Sequence, residues 1–415
     1  MKKILSNSSL YIASVLFSKG INFALLPILT HYLTKEDYGI LALLMAIVTI
    51  SSIYIGFFPQ TFIITRYAQY GKEKISEYMH SIMLIIISSY MITLFILLLF
   101  QNVLLPDTLN HKSFMLFAVS IYALFSVLFN MIDTILQVEK NALKFATLQT
   151  IQSLSAASLT LLLVIEFSSG WMGKFFSELF VLGTISIYTI FYIIKHNYYR
   201  HLFDVNKIKE LLNFLFPLSF NVLGLYILGT VDRIFISNFI GLEAAGIYAV
   251  AIAMAFVVNM VYDSIVKAIN PFFNEYLAEG SKEGRWKAVK LTYLYSLMCL
   301  IVLTGFLLLL PYVFHWMIDP KFQDALRYIP LLAIALTFEG LRKILSRFYI
   351  FYGKVKTIAS FTIFAAILNI ILNYFLINAH GIMGAVESIL ITFILLYVIT
   401  LVYLVKYFNL PLKGL

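Results

Sequence analysis

Cysteine occurs once in the 415 residues, as Cys299, which excludes an intramolecular disulfide and a Cys-rich metal site. Charge is scarce as well. Asp, Glu, Lys and Arg make up 12% of the chain, against roughly 25% in soluble domains. There is no Gly-Lys-Ser/Thr phosphate loop, no His-Glu-x-x-His zinc helix and no Gly-x-Ser-x-Gly elbow, so nothing points to ATP-driven work, to a cofactor or to an enzyme of those types. Long hydrophilic stretches are missing too, which leaves no room for an extramembrane catalytic domain. What fills the chain is apolar: 61% hydrophobic and 16% aromatic residues, with a mean hydropathy of +0.91. A soluble core does not absorb that share.

Apolar runs long enough for a helix to cross a hydrocarbon layer of roughly 30 Å recur throughout. Read by apolar length and charged breaks, they predict about twelve spans: 5–33, 38–67, 79–100, 113–136, 144–166, 171–194, 210–239, 243–276, 287–318, 323–349, 354–378 and 381–405. Met1-Lys2-Lys3 followed by an apolar segment without a small-residue cleavage site reads as an uncleaved first span. The net charge of +9 lies in short turns and forms no basic domain for nucleic acid. With a cytoplasmic N-terminus, 23 of the 30 basic residues fall in cytoplasmic segments and five in outer ones, leaving Lys19 and Arg233 inside spans. That bias predicts both termini in the cytoplasm.

The chain also repeats itself. Tyr32-Leu33-Thr34-Lys35-Glu36-Asp37-Tyr38-Gly39-Ile40 aligns with Phe239-Ile240-Gly241-Leu242-Glu243-Ala244-Ala245-Gly246-Ile247 at a shift of 207 residues. Each copy ends a span, makes a short acidic turn and opens the next span on Gly-Ile. Pro59 and Pro271 follow late in those second spans, ahead of Gly71 and Gly280. Six spans per half predict an all-α polytopic membrane protein of two parallel six-helix bundles around a central cavity, with residues 1–195 as the first bundle, 196–209 as a cytoplasmic linker and 210–415 as the second.

The stretch from Val231-Asp232-Arg233 to Gly246-Ile247-Tyr248, with Leu26-Pro27-Ile28-Leu29-Thr30-His31-Tyr32-Leu33 and Tyr38-Gly39-Ile40, resembles the polysaccharide-export branch of the multidrug/oligosaccharidyl-lipid/polysaccharide flippases. The closest type is the O-antigen or capsule repeat-unit flippase, often called Wzx. The resemblance implies a cationic central cavity and alternating access. It implies an undecaprenyl-pyrophosphate-linked oligosaccharide as cargo, a bacterial cytoplasmic membrane as location, proton or sodium coupling, and a glycan polymerase or ligase as partner. Relatives that flip the peptidoglycan precursor usually carry about fourteen spans, which disfavours that cargo here. A cation-coupled drug exporter of the same superfamily and a membrane-bound glycan polymerase or ligase are the rival readings.

A charge near the middle of a membrane helix costs roughly 2.5 to 3.5 kcal/mol on insertion scales, so each one needs a reason. Lys19 sits mid-span beside Ser8, Tyr11, Ser18 and Asn22, either as a point charge for pyrophosphate or in a salt bridge between helices. Arg233 shares a helical stripe with Ser219, Tyr226, Thr230 and Ser237; it suits paired bonds to phosphate, and it equally suits a structural role in which neighbouring helices neutralise both Asp232 and Arg233 to fix packing. Adjacent residues project about 100° apart, so each of the two should hold another partner. Asp263 with Lys267, and Glu339 with Lys343, read as i,i+4 pairs, with Asn259, Asn270 and Asn274 on the polar face of the first. Lys267, Arg342 and Lys343 lie toward the cytoplasmic side, where topology alone accounts for them and a basic vestibule is the functional alternative. Asp232, Asp263, Glu339 and Glu387 are the candidate ion-coupling carboxylates, with Glu387 a weaker one together with Asp133.

Overall fold

The computed structural model describes residues 2–200 and 203–407, all helix, turn and coil, with no strand among them. With no water in a hydrocarbon layer, backbone groups must pair within the segment, and the described residues do so in twelve long helices. These are α1 (Lys2–Tyr32), α2 (Lys35–Tyr54), α3 (Pro59–Leu99), α4 (Lys112–Val138), α5 (Ala142–Leu161, prolonged by the π-helical turn Leu162–Glu166), α6 (Gly170–Lys195), α7 (Val205–Phe239), α8 (Leu242–Ala278), α9 (Lys282–Met317), α10 (Ile329–Phe351), α11 (Val355–His380) and α12 (Ile382–Tyr407). Ten of them contain segments long and apolar enough to cross a membrane. The remaining two, α7 and α10, are 35 and 23 residues long and interrupt their apolar stretches with charge, Asp232 and Arg233 on α7 and Glu339, Arg342 and Lys343 on α10. The protein is a multi-pass membrane protein.

The third helix is in fact two arms. Gly71 adopts φ 73° and ψ −170° inside it, a conformation open essentially to glycine alone. In a straight helix Phe62 and Tyr78 would stand roughly 24 Å apart, yet their rings are 5.1 Å apart. The chain therefore reverses at Gly71. The arm 59–70 continues α2 after an interruption at Ile55 to Phe58, where Gly56, Phe57 and Phe58 take φ values of 78°, 52° and 66°. Across the hairpin, the Gly56 N–H freed by this break donates to Ser89 Oγ at 2.8 Å. The predicted span 38–67 is thus present, but broken.

Repeat symmetry is visible in the helix boundaries. Helices α1 and α7 end at Tyr32 and Phe239, and α2 and α8 begin at Lys35 and Leu242, each pair 207 residues apart. The turns differ in chemistry. Thr34 and Asp37 form a reciprocal capping box before α2, whereas α8 is preceded by Gly241 at φ 128°. The halves part at the break, because α8 runs through Pro271 without interruption.

The chain forms two compact units, residues 1–226 and 227–415. In the first, α1 packs on α5, and α4 packs against α2, α3 and α6. In the second, α10 is central and touches α8, α9 and α12, while α11 packs on α12. The first turns of α7 belong to the first unit: Glu210 accepts from Arg66 at 2.9 Å and from Tyr78 at 2.6 Å, and Lys207 pairs with Glu77 at 3.1 Å. The side chains of Lys2, Lys3, Ser8 and Pro217, and the whole of Lys413, lie outside the described residues.

Candidate functional site

Helices α8 and α10 approach closely where Gly340 faces Tyr262; a Cβ on Gly340 would meet the Tyr262 ring at 2.6 Å. Small residues that let helix backbones approach are the ordinary device of membrane bundles. The contact is fastened by the Tyr262 hydroxyl, which bonds the Cys299 carbonyl and Thr337 Oγ1, and by Tyr295, which donates to the Gly340 carbonyl at 2.9 Å. Beyond it lies the charged group. Lys343 Nζ donates to Asp263 Oδ1 and to Asn259 Oδ1, both at 2.6 Å. Arg342 holds Glu339 through two parallel bonds of 2.7 Å and reaches Ser346 Oγ at 3.2 Å.

The two expected i,i+4 pairs are therefore replaced. Asp263 takes its cation from the facing helix and not from Lys267, which is exposed and has no ion partner among the described residues. Glu339 takes Arg342 one turn along instead of Lys343. Burial explains the choice: Arg342 is only 5% exposed, so its guanidinium needs a bidentate carboxylate, whereas Lys267 can reach solvent or headgroups.

On α7, Asp232 is buried at 4% exposure, accepts from the Tyr248 hydroxyl of α8 and receives the Arg233 backbone N–H. Arg233 turns back along its own helix to the Gly229 carbonyl at 2.7 Å, with Asp232 no nearer than 3.9 Å. Adjacent charges on a helix thus hold separate partners, as the 100° offset requires. Of the stripe residues, Ser219 and Ser237 donate to carbonyls of their own helix and are buried. Glu387 pairs with His380 at 2.6 Å, joining the end of α11 to the start of α12.

In the first unit, Ser18 bonds the Gln149 carbonyl and Ser153 Oγ of α5. This turns the next residue away from the bundle contact: Lys19 is exposed, as is Asn22, and Lys19 has no acidic partner among the described residues. Lys19 nevertheless lies within the apolar segment Ala13–Tyr32. Nearby in the unit, Asp133 is 7% exposed; Gln149 donates to its Oδ2 and its Oδ1 has no partner.

Two features escaped the reading from sequence. Asn369 and Asn373 of α11 and Ser388 and Thr392 of α12 form a buried neutral network: Asn369 Nδ2 donates to Ser388 Oγ at 3.1 Å and to Thr392 Oγ1 at 3.3 Å, and Asn373 Nδ2 donates to Asn369 Oδ1 at 3.0 Å. Their one signal was the four-residue spacing of the paired polar residues on each helix. The α2 break had a signal in Gly56-Phe57-Phe58-Pro59. Within the second unit the candidates form separate groups: Lys343 joins Asp263 across α8–α10, Arg342 joins Glu339 along α10, Asp232 and Arg233 sit on α7, and Glu387 joins His380 between α11 and α12.

Comparison with known proteins bears on this arrangement. The family model described as "Polysaccharide biosynthesis protein" matches residues 4–277, well over half of the chain, and the MatE model matches residues 217–375. An Lsg locus protein of Haemophilus influenzae is 22% identical over 373 residues, covering 89% of this chain and 90% of that one. A membrane protein of the same organism is 24% identical over 367 residues, 86% of each. Among solved structures, the lipid II flippase MurJ in an inward closed conformation superposes with a TM-score of 0.75 at 15% identity, over 96% of this chain and 87% of that one. An inward-facing multidrug resistance MATE family transporter of the MOP superfamily gives 0.73 at 14% identity, over 96% of both. The chain belongs to the polysaccharide biosynthesis protein family and shares the fold of these two solved structures.

Proposed function

We propose that the protein moves an undecaprenyl-pyrophosphate-linked oligosaccharide repeat unit from the inner to the outer leaflet of the bacterial cytoplasmic membrane by alternating access, with both termini in the cytoplasm. The observation that carries this reading is Lys19. It is a cation within a membrane-crossing segment, exposed and without an acidic partner among the described residues. Such a charge has no use against lipid tails, whereas a path for a pyrophosphate headgroup needs it. Arg233 is the second candidate, since its contact with Asp232 is long and its other bond is to a carbonyl. Lys267 remains available as an inner contact. Arg342 is held by Glu339 along α10, and Lys343 by Asp263 across α8–α10.

For coupling, Asp133 is the best-placed carboxylate, being buried with one oxygen unpaired and only the neutral Gln149 amide on the other, ahead of Asp263, Glu339 and Glu387, which pair with Lys343, Arg342 and His380, and Asp232, which holds Tyr248 and the Arg233 N–H. Proton or sodium entry at Asp133 would bias the first bundle. A glycan polymerase or ligase is the expected downstream partner. The MatE match over residues 217–375 favours a second reading, a cation-coupled exporter of small molecules. The two separate on deletion of the chain. Repeat units accumulating in the inner leaflet with drug sensitivity unchanged supports the flippase; an unchanged leaflet distribution with lost drug efflux replaces it by the exporter.

A further inference from the structure

The second unit contains a cavity of about 250 Å³ bounded by α9, α10 and α12. Its wall is apolar: Val289 on α9, Leu341, Leu345 and Phe348 on α10, and Leu401 and Leu404 on α12. Of the hydroxyl-bearing residues in the lining, Thr292 and Ser296 are committed to their own helix, to the Ala288 carbonyl at 3.0 Å and the Thr292 carbonyl at 2.9 Å, and the aromatic rings of Tyr293 and Tyr397 complete the wall. The space is smaller than the roughly 300 to 1,000 Å³ of drug-sized pockets, and its chemistry suits a stretch of one hydrocarbon chain.

Its position adds a charge. The lining residues Val289 and Val405 sit near the start of α9 and the end of α12, so the cavity opens toward one end of the bundle, and each is followed by a lysine. Lys290 and Lys406 are exposed and have no ion partner among the described residues. The nearby acids Glu279 and Glu283 are engaged by Lys287. Lys290 lies over the Trp286 ring at 5.5 Å and Lys406 over the Tyr407 ring at 5.4 Å. Trp and Tyr collect at headgroup depth, which puts both ammonium groups level with lipid phosphates.

We propose that this cavity is a binding site for an anionic phospholipid, one acyl chain lying between α9 and α12 over α10 and the phosphate held by Lys290 and Lys406. The occupant is a resident membrane lipid and not the transported cargo, because the site lies on one unit alone and its polar groups at the mouth are two point charges without a sugar-binding set. The site is independent of the flippase reading.

The test is native mass spectrometry of the purified chain with phosphatidylglycerol, phosphatidylcholine and undecaprenyl phosphate, joined to photocrosslinking with phosphatidylglycerol carrying a diazirine on the acyl chain. Phosphatidylglycerol should be retained over phosphatidylcholine, with crosslinks on 289–296 and 401–405. Lys290→Gln and Lys406→Gln, both at exposed positions, should each weaken retention by roughly fivefold. Equal retention of the two phospholipids, crosslinks elsewhere, or no effect of either lysine variant overturns the site. Tighter capture of undecaprenyl phosphate at the same residues overturns the choice of occupant.

Discussion

Lys343 of α10 donates to Asp263 of α8 at 2.6 Å, across the helix pair and not along it. Asp263→Asn or Lys343→Met should therefore lower the thermal stability of the purified protein by about 1 kcal/mol, the scale of a charged hydrogen bond discounted for partial exposure. Lys267→Ala should stay within about 0.5 kcal/mol of the wild type. Asp263→Lys with Lys343→Asp together should recover what either reversal loses. A loss at Lys267 equal to that at Lys343 would restore the pairing along the helix.

The Glu339–Arg342 pair sits deeper, with side-chain exposures of 14% and 6%. Removing one member strands a buried charge, so Glu339→Gln should cost about 3 to 5 kcal/mol. Glu339→Gln combined with Arg342→Met should recover most of that loss, because two neutral groups need no partner. Scanning fluorimetry in one detergent measures all three. A double variant as unstable as the single one would assign Arg342 a role beyond pairing.

The break in α2 depends on glycine. At Gly56, φ is +78° and a Cβ would meet Ile86 Cγ1 at 2.8 Å, so Gly56→Ala carries both strain and a clash. Gly71→Ala carries only strain, its φ being +73° in open space. Each should destabilise by about 1 to 3 kcal/mol, Gly56→Ala by more. Equal unfolding temperatures for both variants and the wild type would mean that the interruption and the hairpin are not held as described.

Tyr248 donates to the buried Asp232 from the neighbouring helix. Tyr248→Phe leaves that carboxylate with the Arg233 backbone N–H and should cost about 1 to 3 kcal/mol. Asp232→Asn, which keeps an acceptor for the tyrosine, should cost less. The reverse order would shift the weight from the hydrogen bond to the charge on Asp232.

Helix number, span limits and the 207-residue repeat were legible because apolar length and punctuation reflect what a bilayer demands of a backbone. The α2 break was not, because Ile55, Gly56, Phe57 and Phe58 are as apolar as the helix they interrupt, and hydropathy does not register φ. Pairing failed for a related reason. Spacing along one helix sees Asp263 with Lys267, while the partner that burial selects is Lys343, 80 residues on. The Asn369 network is uncharged and vanishes in an apolar average. For Lys19, sequence supplied the depth and the structure supplied the direction, through Ser18 turned into α5.

The most direct measurement is the leaflet distribution of the lipid-linked repeat unit in cells whose only copy of the protein carries Lys19→Ala, with the protein level matched to the wild type. An exposed cation on the transport path predicts repeat units retained in the inner leaflet, surface glycan reduced by at least about tenfold, the scale of a lost charged contact, and partial recovery with Lys19→Arg. Wild-type leaflet distribution and full surface glycan in the Lys19→Ala cells would contradict the account.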